Sequence, residues 1–83
     1  PNPFNPSTTL KFNIKEEVMV NITIYNQLGK RVKDLVNGNY AVGTHSVIWN
    51  SENNQGKQVA AGIYIYTIQA GEFRATKKMI LLK

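Results

Sequence analysis

The chain ends in the stretch that decides its fold: Gly62-Ile-Tyr-Ile-Tyr-Thr-Ile-Gln-Ala-Gly-Glu-Phe-Arg-Ala-Thr-Lys-Lys-Met-Ile-Leu-Leu-Lys83. Two runs rich in strand-forming residues flank the segment Ala70–Phe73, where Gly71 can supply the positive φ of a tight hairpin turn. Side chains alternate along a strand, so the first run has two faces. One face carries Tyr64, Tyr66 and Ile68, and the other carries Ile63, Ile65 and Thr67. The stretch therefore predicts a terminal β-hairpin.

The second run of this hairpin is apolar on both faces, since it ends in Met79-Ile80-Leu81-Leu82. An edge strand of a small monomer needs only one apolar face. We therefore expect one face to complete the core. The other face either contacts a partner or is covered by a loop or by a neighbouring domain of the parent protein. The adjacent lysines leave the parity of the strand open, because a β-bulge there would let one face change. The candidate partner-recognition residues are Ile63, Ile65, Lys77, Lys78, Met79, Ile80, Leu81 and Leu82.

The first half of the chain also alternates. Thr8–Ile14 and Val18–Tyr25 each place an apolar residue at every second position, and we expect the two runs to pair as a hairpin. Asn37-Gly38 is a turn signal, and Trp49 is a candidate core anchor. The predicted core residues are Leu10, Phe12, Val20, Ile22, Ile24, Val47, Trp49, Tyr66 and Ile68.

No stretch has a sustained helical period, and six or seven short strands separated by turns predict an all-β sandwich or small barrel. With 83 residues, the chain is expected to form one domain over residues 1–83. Residues 1–7 read as a lead-in from a preceding domain or linker, which Phe4 can pin to the core. No initiator methionine or signal peptide is present, so we expect the chain to be a piece of a longer protein. With no cysteine, the fold must rest on its apolar core.

The charge pattern argues against nucleic acid as a partner. The formal net charge is +5, but the lysines and arginines are scattered along the chain, whereas nucleic-acid footprints concentrate charge on one face. Solvated lysines on exposed strand faces are the simpler interpretation. The longest apolar run is too short to cross a bilayer as a helix, so no direct membrane insertion is expected.

We expect no catalytic, cofactor or metal site. The acidic residues fall mostly in predicted turns, and the single histidine, His45, shares an alternating run with Val47 and Trp49, where a packing role is the expected one. Tyr64 and Tyr66 leave one alternative open, because two tyrosines on one face can form a stacking platform for a sugar. Core packing is the competing interpretation.

Several short motifs stand in a recognisable order. Pro1-Asn2-Pro3-Phe4-Asn5-Pro6-Ser7-Thr8-Thr9 opens the chain, and Tyr25-Asn26-Gln27-Leu28-Gly29-Lys30-Arg31-Val32 follows the second strand. Gly43–Trp49 precedes a polar loop, Gly56–Tyr66 enters the hairpin, and Thr76–Lys83 closes the chain. Over its whole length the sequence resembles the C-terminal type A sorting domain of the type IX secretion system. It is similar also to the immunoglobulin-like domain of flagellar hook-capping proteins.

The resemblance implies an immunoglobulin-like antiparallel β-sandwich of about seven short strands, without enzymatic activity. For a sorting domain it implies two partners, the outer-membrane secretion machinery and a fused N-terminal cargo domain. It also implies passage through the periplasm to the cell surface or the medium. The alternatives are a structural assembly module of the hook-capping type, which packs against copies of itself, and an accessory carbohydrate-binding module of a secreted enzyme.

Overall fold

A computed structural model describes residues 6–82 as two antiparallel sheets facing one another. The six strands are β1 (Thr8–Ile14), β2 (Val18–Asn26), β3 (Arg31–Tyr40), β4 (Gly43–Trp49), β5 (Gly62–Ala70) and β6 (Phe73–Leu81). Sheet A contains β1 and β4, and sheet B has the strand order β3-β2-β5-β6. The all-β sandwich expected from the sequence is confirmed, with no helix in these residues. The role predicted for Phe4 lies outside the described residues.

The pairing of the first two strands differs from the prediction. β1 pairs with β4, from Thr8 opposite Trp49 to Ile14 opposite Gly43, and β2 pairs with β3 and β5. β1 and β2 therefore belong to different sheets, and the connection Lys15–Glu17 crosses between them. Because Ile14 and Val20 must both face the core, placing the two strands in opposite sheets buries each strand's apolar face against the other.

The turn predicted at Asn37-Gly38 is wrong. Both residues lie inside β3, where Asn37 pairs with Asn21 and Gly38 pairs with Val20. The strand instead ends at Tyr40, and Ala41-Val42 carries the chain across to sheet A. Gly38 tolerates the extended conformation as well as any turn conformation, so tertiary pairing overrides the local turn preference here.

The buried side chains form two adjoining clusters between the sheets. Of the nine predicted core residues, Leu10, Val20, Ile22, Ile24, Trp49 and Ile68 are buried. Phe12, Val47 and Tyr66 are half-buried and pack against the same clusters. The strand alternation therefore predicted the inward faces correctly.

A buried aromatic pair, Trp49 and Tyr64, joins the two sheets. The rings of Trp49 in β4 and Tyr64 in β5 meet edge to face, with centroids 5.2 Å apart and an interplanar angle of 72°. Each ring carries a polar group that must be satisfied when buried. The Trp49 Nε1–H donates to the Glu52 carbonyl at 2.9 Å, and the Tyr64 hydroxyl donates to the Ala60 carbonyl at 2.6 Å. Burial raises the pKa of Tyr64, which keeps its hydroxyl protonated and able to donate.

The polar loop between β4 and β5 is fixed at Ser51. This residue is fully buried and adopts a positive φ of 63°, a conformation that non-glycine residues rarely adopt. Its hydroxyl donates to the Pro6 carbonyl, and its own carbonyl accepts from the Val59 N–H at 2.8 Å. Ser51 thus joins the segment before β1 to both ends of the loop.

The terminal hairpin agrees with its sequence prediction. Ala70 pairs with Phe73, so Gly71 and Glu72 form a two-residue loop. Gly71 has φ 61°, as a primed hairpin turn requires at its first central position. A Cβ at this position would lie 2.9 Å from Val18 Cγ2, so the turn also needs glycine for space.

Trp49→Ala should lower the free energy of unfolding by about 3–5 kcal/mol, because it removes a buried ring and leaves a cavity between the sheets. Ile48→Ala is the matched control, since Ile48 is the preceding residue of β4 and is 59% exposed. It should cost about 0.5 kcal/mol or less. Urea denaturation of both variants measures the difference, and equal costs would contradict the assignment of the Trp49 face.

Candidate protein-contact surfaces

The two faces of β6 separate the predicted recognition residues. The ladder between β5 and β6 runs without a break from Gly62–Leu81 to Ala70–Phe73, so no bulge changes the faces. Leu81 is buried and Met79 is half-buried in the core, which removes both from the candidate contact surface. Lys77 shares their parity yet is exposed. The outward positions of the hairpin carry the other five predicted residues: Ile63, Ile65, Lys78, Ile80 and Leu82.

Four of these outward residues form an apolar surface, which we call the outer patch: Ile63, Ile65, Ile80 and Leu82. Ile63 lies opposite Ile80 in the ladder, and Ile65 lies opposite Lys78. The exposed fractions are 36% for Ile63, 60% for Ile80 and 73% for Leu82. A row of three paired threonines, Thr23, Thr67 and Thr76, borders the patch across sheet B. The outer patch is therefore an apolar area on the outward face of sheet B, where Tyr25 lies opposite Ile65 and Met19 is also exposed.

A second surface lies along one side of the sandwich, where the sheets differ in width. A cleft of about 240 Å³ opens between β1 and the inner face of β6, and we call it the side cleft. Its walls include Phe12, Tyr66 and Ala75, which leave part of the apolar interior accessible. Near the connection Lys15–Glu17 and the turn of the terminal hairpin it adjoins a larger cavity of about 590 Å³, which shares Ile14 and Phe73 with it. The cleft depends on the strand order of the sheets, so the sequence alone does not predict it.

The opposite side of the sandwich is covered by the loop between β4 and β5. The Asn54 N–H donates to the Val32 carbonyl at 3.0 Å, and the Asp34 N–H donates to the Asn54 Oδ1 at 2.9 Å. Both backbone groups belong to the edge of β3, next to register shifts in its ladder with β2. Asn54 therefore satisfies an edge that would otherwise be open to another strand.

The covering loop is shaped by a turn that occurs twice, as Asn26-Gln27-Leu28-Gly29-Lys30 and Asn53-Asn54-Gln55-Gly56-Lys57. In both, the asparagine Oδ1 accepts from the backbone N–H groups two and four residues later, at 2.9–3.0 Å. The glycines have φ 83° and 79°. The two turns share the sequence spacing Asn-x-x-Gly-Lys. The second copy positions Asn54 against β3.

The single histidine of the chain lies among aromatic side chains. His45 packs against Tyr40 and Phe12, with ring centroids 4.9 and 5.6 Å away, and its Nε2–H donates to the Ala41 carbonyl at 2.8 Å. This confirms the packing role predicted for His45. Within residues 6–82, no three His, Asp or Glu side chains lie together as a metal site would require.

The tyrosine pair does not form a sugar-stacking platform. Tyr64 is buried, and Tyr66 is half-buried against both core clusters. Neither ring presents a free face on the outer side of sheet B, where a flat ligand would stack. The carbohydrate-binding alternative therefore loses the residues on which it depended. Across residues 6–82, no helix has the length and apolar character that crossing a bilayer demands.

These features define an immunoglobulin-like β-sandwich whose accessible features are the outer patch and the side cleft. The chain matches the FlgD Ig-like domain family over residues 5–72, and it belongs to that family. A similar solved structure is that of FLGD from P. Aeruginosa, with a TM-score of 0.70 and 21% sequence identity. The alignment covers 90% of this chain and 59% of that chain, so this chain spans well under two thirds of the relative. No curated protein sequence matches the chain.

The family match ends at the turn of the terminal hairpin. Residue 72 is the last residue matched, so β6 and the outer patch residues Ile80 and Leu82 lie beyond it. The match therefore supports the immunoglobulin-like fold and the hook-capping relationship. It does not show the type IX sorting role, which the resemblance of the whole chain had placed first.

Asn54→Ala should open the edge of β3, because it removes the acceptor of the Asp34 N–H. We expect amide hydrogen exchange at Asp34 to rise about fivefold, which corresponds to one lost hydrogen bond. Gln55→Ala is the matched control, since Gln55 is exposed in the same turn and only its backbone N–H bonds to Asn53. Unchanged exchange at Asp34 in Asn54→Ala would show that the edge is protected by something else.

Proposed function

We propose that this chain is a non-enzymatic structural module of the hook-capping type, which assembles with other protein subunits through the outer patch. Membership of the FlgD Ig-like domain family supports the structural role. The observation that carries the proposal is the exposure of Ile80, on the outward face of β6, and of Leu82, the residue that follows this strand. Exposed apolar residues that neighbour one another on a strand pair are typical of a contact surface between proteins.

The chemistry of the outer patch favours a protein partner. The patch is aliphatic, and Lys78 stands beside it at the free edge of sheet B, opposite Ile65. An aliphatic centre with a charged rim is the usual arrangement of a small protein interface. An interface with a single patch of this size is expected to be weak and reversible when one copy of the module acts alone. Assembly would then depend on several copies or on further contacts from a longer parent protein.

The first test is self-association of the intact chain. We expect sedimentation velocity to show concentration-dependent association of the wild type, and Ile80→Lys to abolish it by placing a charge in the patch. Ile48→Lys is the matched control, since Ile48 is 59% exposed on β4 against 60% for Ile80 on β6. It should associate as the wild type does. A wild-type chain that stays monomeric at every accessible concentration would contradict assembly with copies of itself.

A second candidate function is the type IX sorting domain, with the outer-membrane secretion machinery as partner. One observation favours it: the outer patch lies on the terminal hairpin, in the stretch that resembles the end of such domains. On this proposal the chain and its fused cargo cross the periplasm and reach the cell surface or the medium. The same patch would then dock on a subunit of the translocon rather than on another copy.

A fusion separates the two candidates. Residues 1–83, placed at the C-terminus of a periplasm-targeted reporter, should drive export of the reporter in a bacterium with a type IX system. Ile80→Lys should abolish export while leaving thermal melting unchanged, and Ile48→Lys should leave both unchanged. Retention of the wild-type fusion in the periplasm would contradict the sorting role. Unfolding of Ile80→Lys would contradict the assignment of Ile80 to a contact surface.

A further inference from the structure

The side cleft exists because the two sheets have unequal widths. Sheet B has four strands and sheet A has two. Part of the inner face of β6 is therefore not covered by a strand of sheet A. The uncovered part is the first half of β6, where Phe73 and Lys77 are exposed although they point to the inner side. The second half is covered, since Met79 and Leu81 pack into the core. The gap therefore has the position of a missing strand.

β1 meets this gap with its edge rather than with one face. Five consecutive residues of β1, Leu10–Ile14, line the side cleft, whereas β6 contributes every second residue: Phe73, Ala75 and Lys77. Within residues 6–82, β1 pairs with β4 alone. Every second residue of β1 therefore directs its backbone N–H and C=O groups into the cleft without a strand partner. A new strand paired with β1 would lie over the inner face of β6.

The charges in the side cleft indicate which side chains such a strand would carry. Lys11 and Lys77 line it, and no acidic residue of the described chain does. Acidic residues appear only at the mouth of the adjoining cavity, where Glu16, Glu17 and Glu72 lie. A complementary strand would therefore carry an acidic side chain at the Lys77 end and apolar side chains toward Phe73.

We propose that a partner protein adds an extended, partly acidic segment to the free edge of β1, as a third strand of sheet A. The segment covers the inner face of β6, and its acidic side chain pairs with Lys77. Leu10–Ile14 spans about 17 Å, so five paired residues suffice. This surface is separate from the outer patch, because it involves the opposite face of β6. It holds whether or not the outer patch mediates assembly.

The probe is a capped seven-residue peptide in which four threonines alternate with two valines and one glutamate. It is synthesised as Thr-Val-Thr-Val-Thr-Glu-Thr and as the reversed sequence. We expect one order to bind the intact chain and to slow amide hydrogen exchange in β1, at residues that do not bond to β4. The same peptide with lysine in place of glutamate should bind more weakly. A peptide with N-methylated backbone nitrogens should not bind, because it cannot form the ladder with β1.

Two charge reversals test the contact with Lys77. Lys77→Glu should weaken binding of the glutamate peptide by about threefold to tenfold and strengthen binding of the lysine peptide. Lys78→Glu is the matched control, since it makes the same change of charge on the opposite face of β6. It should leave both affinities near the wild-type values. Both lysines are exposed, so thermal melting should not change in either variant.

Five results would overturn the proposal. If Lys77→Glu and Lys78→Glu weaken peptide binding equally, the effect is one of net charge and not of a contact with Lys77. Peptide binding that does not slow amide hydrogen exchange in β1 would show that the peptide binds elsewhere. Protection of β1 that grows with the concentration of the chain alone would assign the cleft to a second copy. Binding that occurs only after removal of residues 1–5 would assign it to this chain's own N-terminal segment. Absence of binding at millimolar peptide would reject strand addition altogether.

Discussion

The contact between Trp49 and Tyr64 is the interaction on which the rest of the sandwich depends. It joins the two sheets, because one ring belongs to β4 and the other to β5. Both rings also hold the loop between those strands, through hydrogen bonds to the carbonyls of Glu52 and Ala60. The chain has no cysteine, so packing of this kind must do what a disulfide between sheets does in other domains. The loop held in this way brings Asn54 to the edge of β3.

Because this loop reaches only one side of the sandwich, the strand edges on the two sides differ in whether a loop covers them. On the side of β3 the anchored loop satisfies the strand edge, whereas on the side of β1 and β6 the narrower sheet leaves a cleft with a backbone edge in it. The outer patch is a third, separate surface, on the outward face of the terminal hairpin. The chain, which belongs to the FlgD Ig-like domain family, therefore has one side on which a loop bonds to the strand edge, and two accessible surfaces.

The sequence predicted the strands well because strand alternation is a local property. The inward positions Leu10, Ile22 and Ile68 followed from period-two patterning alone, and so did the terminal hairpin around Gly71. Partner choice between strands is not local, so the expected pairing of β1 with β2 was wrong. The separation of Met79 and Leu81 from Ile80 followed once the parity of β6 was known. The side cleft and the role of Asn54 required the three-dimensional strand order, which no spacing in the sequence encodes.

Asn37-Gly38, which the fold places inside β3, has a consequence for the chemical ageing of the protein. An asparagine followed by glycine deamidates when the glycine nitrogen attacks the asparagine side-chain carbonyl to form a cyclic imide. That attack requires the dipeptide to leave the extended conformation. In β3 the two residues are paired with Asn21 and Val20, which holds them extended. The folded chain therefore slows the loss of ammonia from the Asn37 side-chain amide, and each opening of β3 exposes this residue to a covalent change that refolding does not reverse. Accumulated isoaspartate at residue 37 would thus record how often this strand has opened.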